Sequence, residues 1–214
     1  MLLILHVGTH KTGTTALQNY LRTNQQTFLD NGVLIPLQGN HHNIAWELNN
    51  DPRFRSSRET LTDLCAELGE SDCHTAIVSS EDFEYLYSRP EAMETLKRRL
   101  NNAGCQVEAI LFFRDIEEYL PSLHNELLKH DVDIPLDELG KQKEVVVKDN
   151  WRFCFNRDKL VWSFARIFGN NHVHHFNYEF PIEPAFLKVC GLSHLEPLMQ
   201  EVSVANVRKV APLF

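Results

Sequence analysis

The feature that most constrains this chain is a change of hydrophobic period across its first twenty residues. Leu2 to Val7 form a largely apolar run of strand length with β-branched members, whereas Leu17, Tyr20 and Leu21 recur at helical spacing. Between them lies Gly8-Thr9-His10-Lys11-Thr12-Gly13-Thr14-Thr15, so a buried strand runs through a glycine-bounded, hydroxyl-rich loop into an amphipathic helix. Such a loop aims backbone N–H groups and the positive end of a helix dipole at one point, which favours an anion such as phosphate. The glycine frame matches a Walker A loop, but Thr14 stands where the nucleotide-binding lysine belongs, and the only lysine, Lys11, sits inside the loop.

The same alternation continues downstream. Helical spacing marks Leu61 to Leu68, Glu91 to Leu100 and Arg157 to Phe168, which ends at Gly169. Apolar runs starting at Thr75 and from Val107 to Phe113 read as strands, and Val173 to Tyr178, after Gly169, reads as another. This order predicts an α/β fold with a mainly parallel central sheet flanked by helices. The 214 residues suffice for a single domain (1–214) with one core. Residues 131–150, with Pro135, Gly140 and many charges, break the alternation and read as a surface loop or lid over a ligand site. Lys141, Lys143 and Lys148 there read as a solvated cluster.

Three further segments carry chemistry. The strand Val107 to Phe113 ends in Arg114, with Ser122 eight residues later on a helical segment; a guanidinium fork and a hydroxyl at that offset can grip one phosphate. The strand beginning Thr75-Ala-Ile-Val runs into Ser79-Ser80-Glu81-Asp82. The turn-rich Gly39-Asn40-His41-His42-Asn43 precedes a helical stretch from Ile44 to Leu48. Imidazole titrates near neutrality unaided, whereas a glutamate base needs its pKa raised by roughly two units, so His42 and Glu81 are rival bases.

Lys11-Thr12-Gly13-Thr14-Thr15 resembles the 5′-phosphosulfate loop of sulfotransferases that use 3′-phosphoadenosine-5′-phosphosulfate (PAPS). Arg114 and Ser122 match the pair that holds the 3′-phosphate in that family. The resemblance covers nearly all of the chain, is strongest at residues 6–20 and 79–129, and thins after Asp131. It implies a three-layer P-loop-type fold and in-line transfer of a sulfuryl group to a hydroxyl or amine of a carbohydrate or small-molecule acceptor, without a metal. Gly8, His10, Lys11, Thr12, Gly13, Thr14, Thr15, Arg114 and Ser122 would bind PAPS, and Lys11 with Glu81 or His42 would be catalytic. The chain departs from the cytosolic branch at Glu81, where that branch has its histidine. Near the C-terminus, Arg208 and Lys209 resemble the basic part of a segment that closes over the cofactor, although an exposed tail is the first reading.

Composition narrows the partners. A net charge of −8 provides no general field for nucleic acid or a polyanion. Five cysteines, odd in number and without paired short spacing, suggest reduced thiols in an intracellular setting. His172 and His174 share a strand face that His175 opposes, a pattern read as structural more readily than as a metal site. No apolar stretch reaches membrane-spanning length, so the expectation is a soluble, cytoplasmic chain of bacterial type. Two other functions stay open: a P-loop nucleotide kinase or NTPase with Glu81 and Asp82 holding magnesium, and a non-catalytic nucleotide-binding module.

Overall fold

A computed structural model describes residues 1–147 and 151–200. Five strands form a wholly parallel sheet: β1 (Leu2–Gly8), β2 (Val33–Leu34), β3 (Thr75–Ser80), β4 (Gln106–Phe113) and, at one edge, β7 (Val173–Asn177). Their spatial order is β2-β3-β1-β4-β7, so the first strand is central and both of its faces are covered. That is why β1 is apolar apart from the buried His6.

Alternate residues of the sheet feed two packing layers. Leu3, Leu5, Val7, Val78 and Leu111 face one side, where they meet α3 (His42–Asn49), α4 (Leu61–Glu70), α5 (Pro90–Asn102) and α8 (Arg157–Phe168). Ile4, Ile77, Ile110 and Phe112 face the other, against α1 (Thr14–Thr23), α2 (Gln25–Asp30) and α9 (Ile182–Val189). The predicted three-layer α/β architecture is therefore present, and the helix of residues 157–168 has the predicted bounds. Asn156 caps it, its side-chain oxygen accepting from the Lys159 N–H, and Gly169 at φ 102° ends it.

Residues 131–147 depart from the loop expectation. They hold a short helix, α7 (Leu136–Leu139), and a strand, β5 (Glu144–Val147), paired antiparallel with β6 (Trp151–Cys154). The alternation in Glu144-Val-Val-Val147 is a half-buried strand pattern: Val145 and Val147 are buried against Tyr85, Tyr119 and Phe153, while Glu144 and Val146 face out. Each buried valine contributes about 1.5–3 kcal/mol. Charge and proline density masked that short signal. Lys141 pairs with Asp137 on the surface, whereas Lys148, Arg208 and Lys209 lie outside the described residues.

Register sets the site. Gly8 of β1 pairs with Phe112 of β4, and Val7 pairs with Ser80 of β3, so three strands end at one level. The loop from Gly8, the 3-10 segment Glu81–Ser88, and Arg114 before α6 (Ile116–Lys129) leave that carboxyl edge side by side.

Candidate active site

The loop between β1 and α1 is held by its own polar groups. Thr12 is fully buried and its hydroxyl donates to the Thr9 carbonyl, while the Thr9 hydroxyl donates to Phe112 O at 2.8 Å. Gly13, at φ 74°, immediately precedes α1, and no side chain caps that N-terminus. The Thr14 hydroxyl is buried and, among the described residues, has no partner. A Cβ on Gly8 would lie 2.4 Å from it. Uncapped helix N–H groups beside an unsatisfied hydroxyl fit an anion such as the 5′-phosphate of PAPS. Thr15 is exposed at the start of the same helix.

Two cavities open on either side of this loop. The first, of about 390 Å³, is lined by Thr9, Arg114, Tyr119, Cys154, Arg157 and Tyr178, among others. Arg114 spans its wall: Nη1 donates to the Lys11 carbonyl at 3.3 Å, Nε donates to Glu118 at 3.0 Å, and the guanidinium lies 5.8 Å from the Tyr178 ring centre. The Tyr119 hydroxyl is buried there without a partner among the described residues. Ser122 is half-buried on α6 and does not line this cavity. It sits four residues after Glu118, the partner of Arg114, and four before Glu126, the partner of Lys11, so it shares their helix face.

The second cavity, of about 250 Å³, is lined by His10, His42, Trp46, Arg53, Glu81, Asp82, Tyr85, Glu126 and aromatic neighbours. It brings the two rival bases together: His42 Nε2 lies 3.9 Å from Glu81 Oε2, and Gln18 contacts both, donating to Glu81 at 3.0 Å. The other imidazole nitrogen, Nδ1, donates to Asp82 Oδ2 at 2.8 Å. Asp82 also accepts from Trp46 Nε1 at 2.9 Å, and the Arg53 guanidinium lies 4.7 Å over the Trp46 ring. Burial alone would lower the His42 pKa. The Asp82 hydrogen bond and the charges of Glu81 and Asp82 outweigh it, so the net shift is upward from 6.5. Burial would raise the Asp82 pKa, but its bond to His42 and the nearby His10 and Arg53 charges bring it down. The pair is an aspartate-oriented histidine with Nε2 on the cavity side.

His41 is separate from this chemistry. It is buried, its nitrogens contacting the Pro36 carbonyl and the Ser79 backbone, and burial lowers its pKa to about 4. His10, expected among the binders of PAPS, turns its ring to the second cavity, where Glu84 and Tyr85 engage both nitrogens. Lys11 reaches the same region, its Nζ 3.1 Å from Glu126 Oε2. Glu84 and Glu126 were missed by sequence reasoning: they lie 74 and 115 residues from their partners, and no local pattern links such distant positions. At the far end of β4, His172 and His174 share a face as predicted, and both hydrogen-bond Glu108.

No protein-family model matches the chain, and no curated protein does either. Among solved structures, a sulfotransferase from Alicyclobacillus acidocaldarius superposes with a TM-score of 0.55 at 13% identity, over 96% of this chain and 86% of that one. The two share a fold. Among the described residues, no helix is long and apolar enough to cross a membrane.

Proposed function

We propose that this chain is a PAPS-dependent sulfotransferase with the first cavity as cofactor site and the second as acceptor site. The observation that carries the reading is the placement of Lys11 in the wall between them: its carbonyl is held by Arg114 of the first cavity, its ammonium by Glu126 of the second. The loop amides with the Thr14 and Thr15 hydroxyls would hold the 5′-phosphate, Thr12 bracing the loop through the Thr9 carbonyl, and Arg114 would hold the 3′-phosphate, with Ser122 off this cavity on the helix face behind it. PAPS supplies an activated sulfuryl group: a bond forms from the acceptor oxygen or nitrogen to sulfur as the bond from sulfur to the 5′-phosphate oxygen breaks. Lys11, released from Glu126, places its charge where negative charge develops on the leaving oxygen. His42 Nε2 takes the acceptor proton, with Asp82 fixing the tautomer and stabilising the imidazolium; Glu81, held by Gln18, orients that face of the cavity.

The acceptor cavity suits one ring with its substituents. Glu81, Asp82 and Glu126 line it together with Arg53, His10 and His42, so its charges are paired with one another, which favours a neutral saccharide or small alcohol or amine.

Calorimetry without magnesium tests the cofactor half. 3′-Phosphoadenosine 5′-phosphate (PAP) should bind at least tenfold more tightly than adenosine 5′-phosphate or ATP, and Arg114→Ala should abolish that preference, since hydrogen bonds to charged groups contribute about 1.5–3 kcal/mol. Equal binding of all three nucleotides, or tightest binding of ATP with magnesium, would reject the reading in favour of a P-loop kinase or NTPase.

A further inference from the structure

Glu84 is a carboxylate with no exposed surface. A charge so placed is costly unless every lone pair is used. Its Oε2 accepts the backbone N–H of His10 at 3.1 Å and His10 Nδ1 at 3.0 Å; its Oε1 accepts the backbone N–H of Cys154 at 3.1 Å. These partners belong to the loop and to the β5–β6 hairpin. His10 lines the acceptor cavity, and Cys154 the cofactor cavity. One buried carboxylate therefore ties together the walls of both.

The residue that profits is Lys11. It follows His10 directly and holds φ 66°, a left-handed conformation that a residue with a Cβ adopts only under constraint. The constraint acts on both flanks: Glu84 holds the N–H and ring of His10 before it, and Arg114 Nη1 holds the carbonyl of Lys11 itself. The His10 ring is locked further by the Tyr85 hydroxyl at 2.9 Å and by stacking on Tyr85, with Phe153 edge-on at 4.8 Å. Burial alone would lower the His10 pKa; the bond to Glu84 reverses that and raises it, in keeping with an imidazolium facing a carboxylate.

We propose that Glu84 is a positioning residue of the transfer reaction, holding the loop so that Lys11 projects from the wall between the two cavities. The proposal rests on the sulfotransferase reading. All partners of Glu84 are donors, so glutamine, with the same shape, must turn an NH2 group toward an N–H and lose either the loop or the hairpin. Such a misplacement acts on the reacting geometry more than on binding.

The test is a double-mutant cycle on PAPS cleavage with water as acceptor, followed in single turnover by the appearance of PAP. Glu84→Gln should slow cleavage by about 10–100-fold while the Kd for PAP changes less than about threefold. In a Lys11→Ala background the same substitution should cost less than about threefold, because its effect passes through Lys11. Equal losses in both backgrounds, or no loss in the wild-type one, would overturn the proposal. Tyr85→Phe, which removes only the hydroxyl on His10 Nε2, should give a smaller loss with the same dependence on Lys11, and serves if Glu84→Gln does not fold; loss independent of Lys11 would again refute it. A wild-type protein that binds PAP selectively while Glu84→Gln cleaves normally leaves the sulfotransferase reading standing and removes this one. A wild-type protein that neither binds PAP nor cleaves PAPS removes both.

Discussion

The two cavities flanking the loop are built on opposite plans. The cofactor side relies on backbone groups, the arginines Arg114 and Arg157, and two hydroxyls, those of Thr14 and Tyr119, without partners among the described residues. The acceptor side is cross-linked before any ligand arrives: His42 to Asp82, Arg53 to Asp51, His10 to Glu84 and Lys11 to Glu126. Open donors at a strand-to-helix turn receive an anion with little rearrangement. Prepaired charges on the other side fix the direction of each group, and in the proposed function specificity and proton transfer belong to that side. Among the described residues, Lys11 is the one whose backbone is held from the first side and whose ammonium is held from the second.

Removing it should break the comparison most severely. Lys11→Ala is expected to lower single-turnover PAPS cleavage by about 10²–10³-fold, the cost of losing one group aimed at developing negative charge. PAP affinity should change by no more than several-fold, since loop amides and Arg114 remain. Isothermal titration alongside rapid quench separates the two, and a loss confined to binding would contradict a role in the transition state.

The acceptor side is sharpened by pH. Because the His42 pKa is raised, its Nε2 becomes an acceptor only as pH climbs past a value above 6.5. The rate of transfer to a neutral alcohol should rise with pH through that value. Asp82→Asn removes the carboxylate that raises the pKa, so the midpoint should move to lower pH while the plateau falls about tenfold through lost orientation. His42→Asn should flatten the rise and cost about 10²-fold. If the rise persists in His42→Asn and disappears in Glu81→Gln, the base is Glu81.

How much of this was legible follows the same division. The cofactor side is local in sequence: Gly8 to Thr15 and Phe113-Arg114 are contiguous segments whose period and composition announce a strand, a turn and a helix, and parallel pairing places their ends together. On the acceptor side single residues were legible and pairs were not. His42 and Glu81 were found by residue chemistry as alternatives, yet the fold makes them neighbours 3.9 Å apart, through a contact between positions 39 residues apart in the chain. Nothing in the sequence singles out Glu84; only its burial against His10 and Cys154 marks it out. The β5 strand was lost because four residues carry too little periodicity to outweigh the charged sequence around them.

The smallest effect expected separates the buried links of the acceptor side from its exposed one. Lys11 and Glu126 are each about 30% exposed, and Glu126 also meets Lys129 at 2.7 Å. The Lys129 bond and, beyond burial, the bond and charge of Lys11 depress the Glu126 pKa to about 2. A carboxylate with a depressed folded pKa contributes its stability fully above its ordinary value near 4.5 and loses it as pH falls through about 2. Solvent screening keeps that contribution below about 1 kcal/mol. Glu126→Gln should therefore leave Tm at pH 7 within a few degrees of wild type, with any difference vanishing in acid. It should also tighten PAP binding by about two- to fivefold, because Lys11 no longer has to leave a carboxylate to meet a phosphate. Weaker PAP binding in Glu126→Gln would instead make Glu126 part of the cofactor cradle, and the division between an open cofactor side and a prepaired acceptor side would have to be redrawn at Lys11.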